Sequence, residues 1–399
     1  MRGCTKLSDA NLPVSCEVLV VGGGPGGSTC ASALARAGVD VVVMDKRTFP
    51  RDKVCAGWIT PAVLASLQLD VEDYRRGRVF QPITGFRTGL LGGVVVDTGY
   101  PQPVSYGIRR FEFDEYLLRR SGARLALGDP LRTLERDDRD WVVNRRIRAR
   151  MLVGAGGHFC PVARHVGAKL GSSESVVAAQ EVEFPLTPAQ AAVCAAVGER
   201  PELYFCADLK GYGWCFRKGD YLNIGLGRED SHRLSDHLGA FCEFLKRRGT
   251  IACDPPSRFN GHAYLLYAHA PREVAGDGVL LIGDAAGLAY TQSGEGIRPA
   301  VESALMAAET IVAAKGGYAT DSLAPYRDKL VHRFGPRASR GLADYLPGGI
   351  KGALARVLMA SPWFTRRIVL DGWFLHAGEA PLALPPLQAD NPGRIASVA

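Results

Sequence analysis

The most constraining feature of this 399-residue chain is a four-part unit near its N-terminus: an apolar strand, a G-x-G-x-x-G turn, a helix of small residues, and an apolar strand ending in an acid. The motif glycines are Gly22, Gly24 and Gly27, and the acid is Asp45. The glycines permit a tight turn, close approach of a pyrophosphate, and close helix–strand packing, in that order. The helix N-terminus offers amides to phosphate, and Asp45 is placed to accept ribose hydroxyls. The unit predicts a dinucleotide site; the alternative is a glycine-rich turn in another α/β protein.

A second glycine motif, far along the chain, predicts the flavin half of the same site. A buried strand ends at Gly283 and Asp284, where a short carboxylate is placed to bond the ribityl chain or the last ribose. The turn at Gly294, Gly296 and Ile297 then opens a long helix. Its amides are placed to face the pyrimidine edge of a flavin and to favour the reduced form. Together the two motifs predict one bound FAD, whereas the second alone is compatible with a structural turn.

With three further segments, these motifs resemble the FAD-dependent superfamily that has the p-hydroxybenzoate hydroxylase type of fold. The closer resemblance is to its geranylgeranyl reductase branch, which lies near the flavin-dependent halogenases. It covers about residues 15–345. Residues 50–57 are similar to the P-R-x-K-x-C-G loop of the branch, residues 110–114 to its R-x-x-F-D segment, and residues 212–216 to its aromatic Y-x-W-x-F-P motif.

The resemblance implies roles for individual residues. It implies that Arg110 contacts FAD and that the loop carrying Arg51, Lys53 and Cys55 lies near the flavin. Arg51 and Lys53 then position an FAD phosphate or the loop itself. Cys55 either donates a proton to a reduced alkene carbon or is a small buried residue that fills space.

The aromatic motif provides the other candidate catalytic residues besides Cys55. Tyr212, Trp214 and Phe216 alternate along one predicted strand and therefore share a face. The resemblance implies that they line the substrate cavity, where an aromatic wall suits either a prenyl chain or a planar aromatic ring. The alternative is ordinary core packing.

Three sequence differences from the geranylgeranyl reductase branch limit which of its properties can be inferred for this chain. Residues 154–157 read G-A-G-G where the family has G-A-D-G, so a carboxylate is missing after the middle FAD strand. Arg217 replaces the proline that ends the aromatic motif, which is compatible with a charge in the cavity wall that binds an anionic substrate head, although a solvated surface arginine is favoured. Trp58 stands where the branch has glycine and is expected to narrow the space beside the isoalloxazine. The substrate is therefore not carried over by analogy.

The predicted fold is α/β: a Rossmann-type FAD-binding domain with a β-meander, an antiparallel-sheet substrate domain and a small helical C-terminal region. The chain is expected to alternate between the two domains. The FAD-binding domain is predicted over residues 15–78, 110–175 and 276–322, the substrate domain over 79–109 and 176–275, the helical region over 323–379, and a tail over 380–399.

The composition argues mainly against certain kinds of site and partner. Ten cysteines without a C-x-x-C spacing predict reduced thiols in a cytoplasmic protein, and eight histidines without ligand spacing predict no metal site. The N-terminus lacks the order of a signal peptide, and neither a membrane-spanning run nor a nucleic-acid surface is visible. A net charge of +7 suits an anionic substrate, a phospholipid surface or an acidic carrier protein, although a basic surface without a partner is simpler. Residues 351–376 are compatible with peripheral membrane contact or with packing on the FAD domain.

The predicted function is that of an FAD-dependent oxidoreductase. The leading reaction is reduction of a carbon–carbon double bond in a prenyl-type or similar apolar substrate, with an external donor such as NAD(P)H, a reduced flavin or a ferredoxin. The runner-up is a monooxygenase that hydroxylates an aromatic substrate, free or carried on a protein. Halogenation is disfavoured, because such enzymes use a lysine soon after the flavin loop and this chain has none between Lys53 and Lys169. A non-enzymatic flavin-dependent regulator or scaffold is the remaining alternative.

Overall fold

A computed structural model describes most of the chain. It covers residues 14–169, 176–230, 232–270, 272–337 and 348–383. The expectation about a signal peptide rested mainly on residues 1–13, which lie outside the described residues, as do residues 384–399 of the predicted tail.

Strands make up the larger part of the elements. They are β1 (Val14–Val21), β2 (Val41–Asp45), β3 (Trp58–Ile59), β4 (Phe80–Ile83), β5 (Gly85–Leu90), β6 (Val95–Gly99), β7 (Ser105–Ile108), β8 (Arg124–Leu127), β9 (Leu134–Asp137), β10 (Asp140–Val143), β11 (Ile147–Gly154), β12 (Val176–Pro185), β13 (Glu202–Phe205), β14 (Gly211–Lys218), β15 (Tyr221–Arg228), β16 (Asn260–Leu265), β17 (Ala275–Gly276) and β18 (Val279–Leu281).

The helices are distributed around the sheets and gather at the C-terminal end. They are α1 (Pro25–Arg36), α2 (Pro61–Leu67), α3 (Val71–Tyr74), α4 (Arg110–Arg119), α5 (Pro161–His165), α6 (Pro188–Val193), α7 (Leu234–Arg247), α8 (Ile297–Ala313), α9 (Thr320–Leu323), α10 (Pro325–Phe334), α11 (Gly348–Met359) and α12 (Pro362–Phe364), which continues as a π-helical segment, Thr365–Phe374.

The first sheet is eight-stranded and follows the path β17-β18-β11-β1-β2-β8. From β18 to β8 its strands are parallel, and β9, β10 and β11 form the predicted antiparallel meander. Parallel strands are covered on both faces, so they read as continuous apolar runs. Leu19, Val43 and Leu152 are accordingly fully buried. Helix α1 packs against α8 beside this sheet.

The second sheet is seven-stranded, in the order β16-β12-β15-β14-β13-β5-β6, and is antiparallel except where β13 meets β5. Phe241 and Leu245 of α7 bury its outer face. A third sheet, β3-β7-β4, lies beside the predicted flavin loop. This arrangement confirms the predicted α/β fold class with an antiparallel second sheet and C-terminal helices. The domain boundaries stay a prediction.

The C-terminal helices return to the second sheet, since α11 contacts β5 and the π-helical segment contacts β6. Pro362 begins α12. Within the described ranges, no helix has the length and apolar character needed to cross a membrane. The same ranges contain no group of three or more histidine, cysteine or acidic side chains arranged to hold a metal ion.

Candidate functional site

A large cavity lies where the carboxyl ends of the first sheet meet the second sheet. Its volume is about 760 Å³, within the range of about 300–1,000 Å³ usual for ligand pockets. The wall includes the turn between β1 and α1, the loop over residues 51–56, the start of α4, and parts of β12, β14 and β16. Crevices at the carboxyl ends of parallel strands are the usual ligand sites of such sheets.

Two of the three glycines of the first motif line this cavity. Gly22 has a φ of +120°, which a side chain would strain, and Gly24 precedes α1 without a side-chain cap. Gly27 lies behind the turn, outside the lining. A Cβ on Gly27 would lie 1.8 Å from the carbonyl oxygen of Gly22, so this glycine allows α1 to pack against the end of β1.

Asp45 lines the cavity at the end of β2 and also fixes the turn. One carboxylate oxygen accepts a hydrogen bond from the Gly23 amide at 2.7 Å, and the other accepts one from the Arg47 amide at 2.8 Å. The side chain thus ties two backbone segments together at the position predicted for a ribose.

The residues predicted from the second motif all line the same cavity: Gly283, Asp284, Gly294, Gly296 and Ile297. The ring Nε2 of His262 lies 3.4 Å from the Asp284 carboxylate. Burial raises the pKa of Asp284, but the His262 contact and the charges of Lys53 and Arg110 outweigh it and hold this pKa below its usual value. Asp284 therefore stays ionised beside two cations.

At the start of α8, the Glu295 carboxylate accepts hydrogen bonds from backbone amides that were predicted to face a flavin. Glu295 accepts a hydrogen bond from the Arg298 amide at 2.8 Å. Burial raises the pKa of Glu295 to about 7, although backbone hydrogen bonds from Arg298 and Ile297 oppose the shift. A contact from Gly296 or Ile297 to a flavin stays a prediction.

Arg110 and Arg51 share one buried carboxylate. Asp114 accepts from Nε and Nη2 of Arg110 at 2.6 and 2.7 Å, which explains the i, i+4 spacing of this part of the sequence. Nη2 of Arg51 lies 3.2 Å from the same carboxylate. Among the described residues, Nη1 of Arg51 is buried without a hydrogen-bond partner, and Arg51 lines the cavity. This orphaned donor fits an anionic group such as a phosphate.

Lys53 is the second cation that fits a phosphate. It lines the cavity, and no hydrogen bond or ion pair joins it to the part of the chain that the structure describes. Burial and the charge of Arg110 lower the pKa of Lys53 to about 8, against the opposing effect of Asp284. The turn, Arg51 and Lys53 together suit the pyrophosphate of FAD, which when bound and reduced supplies a hydride to a substrate.

The other half of the cavity is aromatic. Tyr212 and Trp214 of β14 line it, and Tyr212 donates a hydrogen bond to a backbone carbonyl. Phe216 lies outside the lining: it is 1% exposed, and its ring packs 5.9 Å from that of Trp58. Trp58 in turn stacks on Phe374, with ring centroids 5.5 Å apart and planes 9° apart. Two of the three predicted rings thus face the cavity, and the third supports the wall.

The three sequence departures have different outcomes. Trp58 lines the cavity and adds to its aromatic wall. Arg217 does not line it, because its guanidinium donates to the carbonyls of Gly219 and Ala191 at 3.2 and 3.3 Å. Arg217 therefore contributes no charge to the cavity wall. Residues 155–157 reach the cavity as backbone and small side chains.

Sequence reasoning missed a buried polar network between the aromatic wall and the Cys55 loop. Asn223 accepts a hydrogen bond from the indole nitrogen of Trp214 at 2.7 Å and donates to Glu181 and to the Cys55 carbonyl, each at 3.2 Å. The Cys55 amide donates to the same Glu181 oxygen at 2.8 Å. Burial raises the pKa of Glu181 to about 7, although Lys218 opposes the shift.

A second acid on the same face of β12 has a different environment. Glu183 forms an ion pair with Lys218 at 2.5 Å and with Arg109 at 3.1 Å. Burial alone would raise the pKa of Glu183, but the two cations hold it below its usual value. Lys218 also donates to the carbonyls of Ala56 and Ile108, both at 3.0 Å. The alternation of two acids on one strand was the only sequence signal for this cluster.

The comparisons with known proteins agree with this site. A family model for an FAD-binding domain matches residues 15–80. A menaquinone reductase from Mycobacterium tuberculosis is 32% identical over 324 residues, which cover 74% of this chain and 76% of the relative. A geranylgeranyl diphosphate reductase from Rhodobacter capsulatus is 31% identical over 319 residues, which cover 74% and 75%.

Solved structures share the fold at lower identity. A geranylgeranyl bacteriochlorophyll reductase-like protein from Thermoplasma acidophilum has a TM-score of 0.70 at 20% identity, over 90% of this chain and 92% of its own. Solved flavin-dependent halogenases and monooxygenases also have this fold, so the fold does not decide the reaction. The sequence relatives confirm the resemblance drawn from the motifs: the chain belongs to the geranylgeranyl reductase family of FAD-dependent oxidoreductases.

Proposed function

We propose that this protein uses bound FAD to reduce a carbon–carbon double bond in a prenyl-type chain. One observation supports this above the others: the phosphate-binding turn and the aromatic wall belong to one cavity. A flavin held at the turn therefore ends beside a ring-lined space, and rings suit an apolar chain with no polar groups to satisfy. The relatives named menaquinone reductase and geranylgeranyl diphosphate reductase support the same reaction.

We propose that one half of the cavity binds the cofactor and the other half binds the substrate. Around the cofactor, FAD is held by the residues predicted from the motifs: Gly22, Gly24, Asp45, Arg51, Arg110, Gly283, Asp284, Gly294, Gly296 and Ile297. Around the substrate, Tyr212, Trp214 and Phe374 hold the chain and exclude water, and Cys55 faces it from the flavin loop. Water exclusion strengthens the electrostatic interactions inside the site.

We also propose an external electron donor, either a nicotinamide nucleotide, a reduced flavin or a ferredoxin, and a cytoplasmic location. The location is supported by the free thiols of the cysteines in the described ranges, because disulfides accumulate in oxidising compartments. We propose that the substrate is a small apolar molecule with a prenyl chain that enters the cavity directly, without a carrier protein.

A single-turnover experiment tests the reaction without knowledge of the donor. FAD-loaded protein is reduced with dithionite under anaerobic conditions and mixed with geranylgeranyl diphosphate or menaquinone. We expect the flavin absorbance to return to the oxidised spectrum. After any quinol is reoxidised to the quinone in air, the product should retain two added hydrogens per reduced double bond, measured by mass spectrometry. The proposal fails if neither compound gains hydrogens at a double bond of its prenyl chain. A transient absorbing species formed with oxygen, followed by a hydroxylated aromatic product, would establish the monooxygenase.

An exposed apolar surface on the C-terminal helices supports contact with a membrane. Ile350, Leu354 and Val357 follow the i, i+4, i+7 spacing on α11 and are 55%, 47% and 71% exposed. Trp363 at the start of α12 is 66% exposed. We name these four residues the α11 surface.

Charge supports an anionic lipid surface as the partner of the α11 surface. Arg356 on α11 and Arg367 in the π-helical segment are exposed, and Arg367 also pairs with Asp371 at 3.4 Å. Cations in the same segment as apolar and tryptophan side chains suit an anionic lipid surface. The same C-terminal segment places Phe374 in the cavity wall, so a lipid surface here lies near the aromatic half. We propose that the α11 surface docks on an anionic membrane from which the prenyl chain is taken.

Vesicle co-sedimentation tests this docking. We expect binding to phosphatidylglycerol vesicles, weaker binding as salt is raised, and loss of binding in a double variant with Val357→Asp and Trp363→Asp. Val331→Asp, on a 50% exposed valine of α10, is the matched control and should bind normally. Docking is refuted if the double variant binds as the wild type does.

A further inference from the structure

Reduction of a double bond requires a proton as well as a hydride, and the structure offers a source for it. We propose that the carboxyl group of Glu181 donates this proton to the substrate. The inference rests on the proposed function, because it assigns the acid of that same reaction. It is drawn from the position of Glu181 between the aromatic wall and the flavin loop.

Glu181 is buried yet reaches the cavity. Glu181 is 5% exposed and forms part of the cavity wall. One oxygen, Oε2, accepts from the Cys55 amide at 2.8 Å and from the Asn223 side chain at 3.2 Å. The other oxygen, Oε1, forms no hydrogen bond with the described part of the chain. One side of the carboxyl group is thus fixed in place, while the other is available to a ligand.

The fixed side also orients Glu181 relative to the aromatic wall. The Asn223 side chain that donates to Glu181 accepts from the indole nitrogen of Trp214 at 2.7 Å. Trp214 lines the cavity, so the acid and the ring on which a prenyl chain rests are joined through one amide. A general acid needs this kind of fixed position close to the atom that it protonates.

Glu183 and Cys55, the neighbouring candidates, are less suited to the role. Glu183 is paired with Lys218 and Arg109, which hold it as a carboxylate. A thiol is a weak hydrogen-bond donor, and the contact of the Cys55 sulfur with the Gly57 amide is long, at 3.4 Å, so the thiol is held less firmly than the Glu181 carboxyl group. By contrast, no cation of the described residues lies within ion-pair distance of Glu181.

The charges around Glu181 keep its proton near neutral pH. Burial raises the pKa of Glu181 to about 7, the negative charge of Glu183 adds to the shift, and Lys218, the Cys55 amide and Asn223 oppose it. A pKa near the working pH is favourable for a general acid, because the group is protonated and also releases its proton readily.

The step balances as a two-electron reduction. One alkene carbon forms a C–H bond with the proton of Glu181 as the O–H bond breaks, and the π electrons form that bond. The other carbon receives the hydride that reduced FAD supplies, so the alkene gains two hydrogens and the cofactor loses two electrons. The Glu181 carboxylate then takes a proton from water.

Glu181→Gln tests the inference, because glutamine keeps the size and the acceptor but has no acidic proton. We expect single-turnover oxidation of the reduced flavin by a prenyl substrate to slow at least about 100-fold, the lower end for loss of a general acid. In the wild type this rate should fall above about pH 7, and in the variant it should be independent of pH across that range. Glu202→Gln is the control, since Glu202 is also buried but bonds Tyr204 and Arg87 away from the cavity.

Two measurements separate acid catalysis from support of the loop. Infrared difference spectra of the FAD-free protein should show a carboxyl band that titrates near pH 7 in the wild type and is lost in Glu181→Gln, whereas the band of Glu295, whose pKa burial also raises to about 7, should remain. Reoxidation of the reduced flavin by ferricyanide, which needs no proton donor to carbon, and the Kd for FAD should be unchanged.

The outcomes also separate this inference from the proposed function. If the wild type does not reduce any prenyl substrate, the proposed function fails first. If the wild type reduces one and Glu181→Gln does so at the same rate, Glu181 is not the acid. The inference is also overturned if Glu181→Gln slows flavin reoxidation by ferricyanide as much as reoxidation by the prenyl substrate, or if the variant binds FAD weakly.

Discussion

Asp114 holds two arginines that line the cavity, and its side chain is fully buried. Removing one partner of a buried ion pair costs about 3–5 kcal/mol, because it leaves a buried charge uncompensated. We therefore expect Asp114→Asn to lower the free energy of unfolding by about 3 kcal/mol and to weaken FAD binding, since Arg51 and Arg110 lose their common anchor. Urea unfolding and titration with FAD measure the two effects.

Asp40→Asn is the matched control for this prediction. Asp40 pairs with Arg124 at 2.8 Å, but its side chain is 56% exposed, and exposed pairs contribute only about 0–1 kcal/mol. It should leave FAD binding unchanged. If Asp114→Asn and Asp40→Asn lower the free energy of unfolding equally, burial does not make the Asp114 ion pairs stronger than the exposed Asp40 pair.

We expect Lys53 to give FAD binding a pH dependence. Burial and Arg110 lower its pKa to about 8 in the free protein, and a nearby phosphate would stabilise its ammonium form. Below this pKa the ammonium is present before binding, so affinity is constant. Above it, binding takes up a proton, so we expect affinity to fall by up to about tenfold per pH unit. Flavin fluorescence titrations between about pH 7 and 9 measure this, and Lys53→Met should remove the slope. A flat wild-type profile would contradict the role of Lys53.

At the scale of elements, close packing of α1 on β1 depends on one glycine. A Cβ at Gly27 would meet the Gly22 carbonyl oxygen at 1.8 Å, whereas one at Gly239 in α7 would meet nothing within 4 Å. We expect Gly27→Ala to lower the free energy of unfolding by about 1–3 kcal/mol, as overpacking does, and to abolish FAD binding. Gly239→Ala should raise it by about 0.5–1 kcal/mol, because alanine favours a helix. Thermal unfolding and FAD titration compare them, and intact FAD binding in Gly27→Ala would refute the packing argument.

Elements could be predicted where their signal is local. The long helix predicted to open at the second glycine motif is Ile297–Ala313, and the helix of small residues predicted after the first motif is Pro25–Arg36. Glu181, the proposed proton donor, could not be predicted from a local signal. Glu181 alternates with apolar residues on β12, which reads as a solvent-facing charge. It is buried because β12 pairs with β15 on one side and β16 on the other, contacts set by the fold of the whole sheet.

At the scale of the molecule, the cavity is completed by a segment distant in sequence. Phe374 ends the π-helical segment, yet it stacks on Trp58 and lies 5.4 Å from the ring of Tyr212. The sequence predicted helices in this region but gave no sign that one of them reaches the aromatic motif, because no local spacing relates residues so far apart. The half of the site built from glycine turns was therefore predictable, and the closure of its aromatic half was not.

Phe374 thus offers a way to separate the two halves of the site. Phe374→Leu keeps an apolar side chain but removes the stacking on Trp58, so we expect a loss of stability of about 1–2 kcal/mol. Because Phe374 touches the aromatic half, reduction of a prenyl substrate should slow about tenfold or more, while the Kd for FAD stays unchanged. Phe241→Leu, on a 1% exposed ring in the core beneath α7, should lose similar stability without slowing the reaction. If both variants slow the reaction equally, general loosening of the second sheet explains the effect; if Phe374→Leu weakens FAD binding instead, the two halves are not separable.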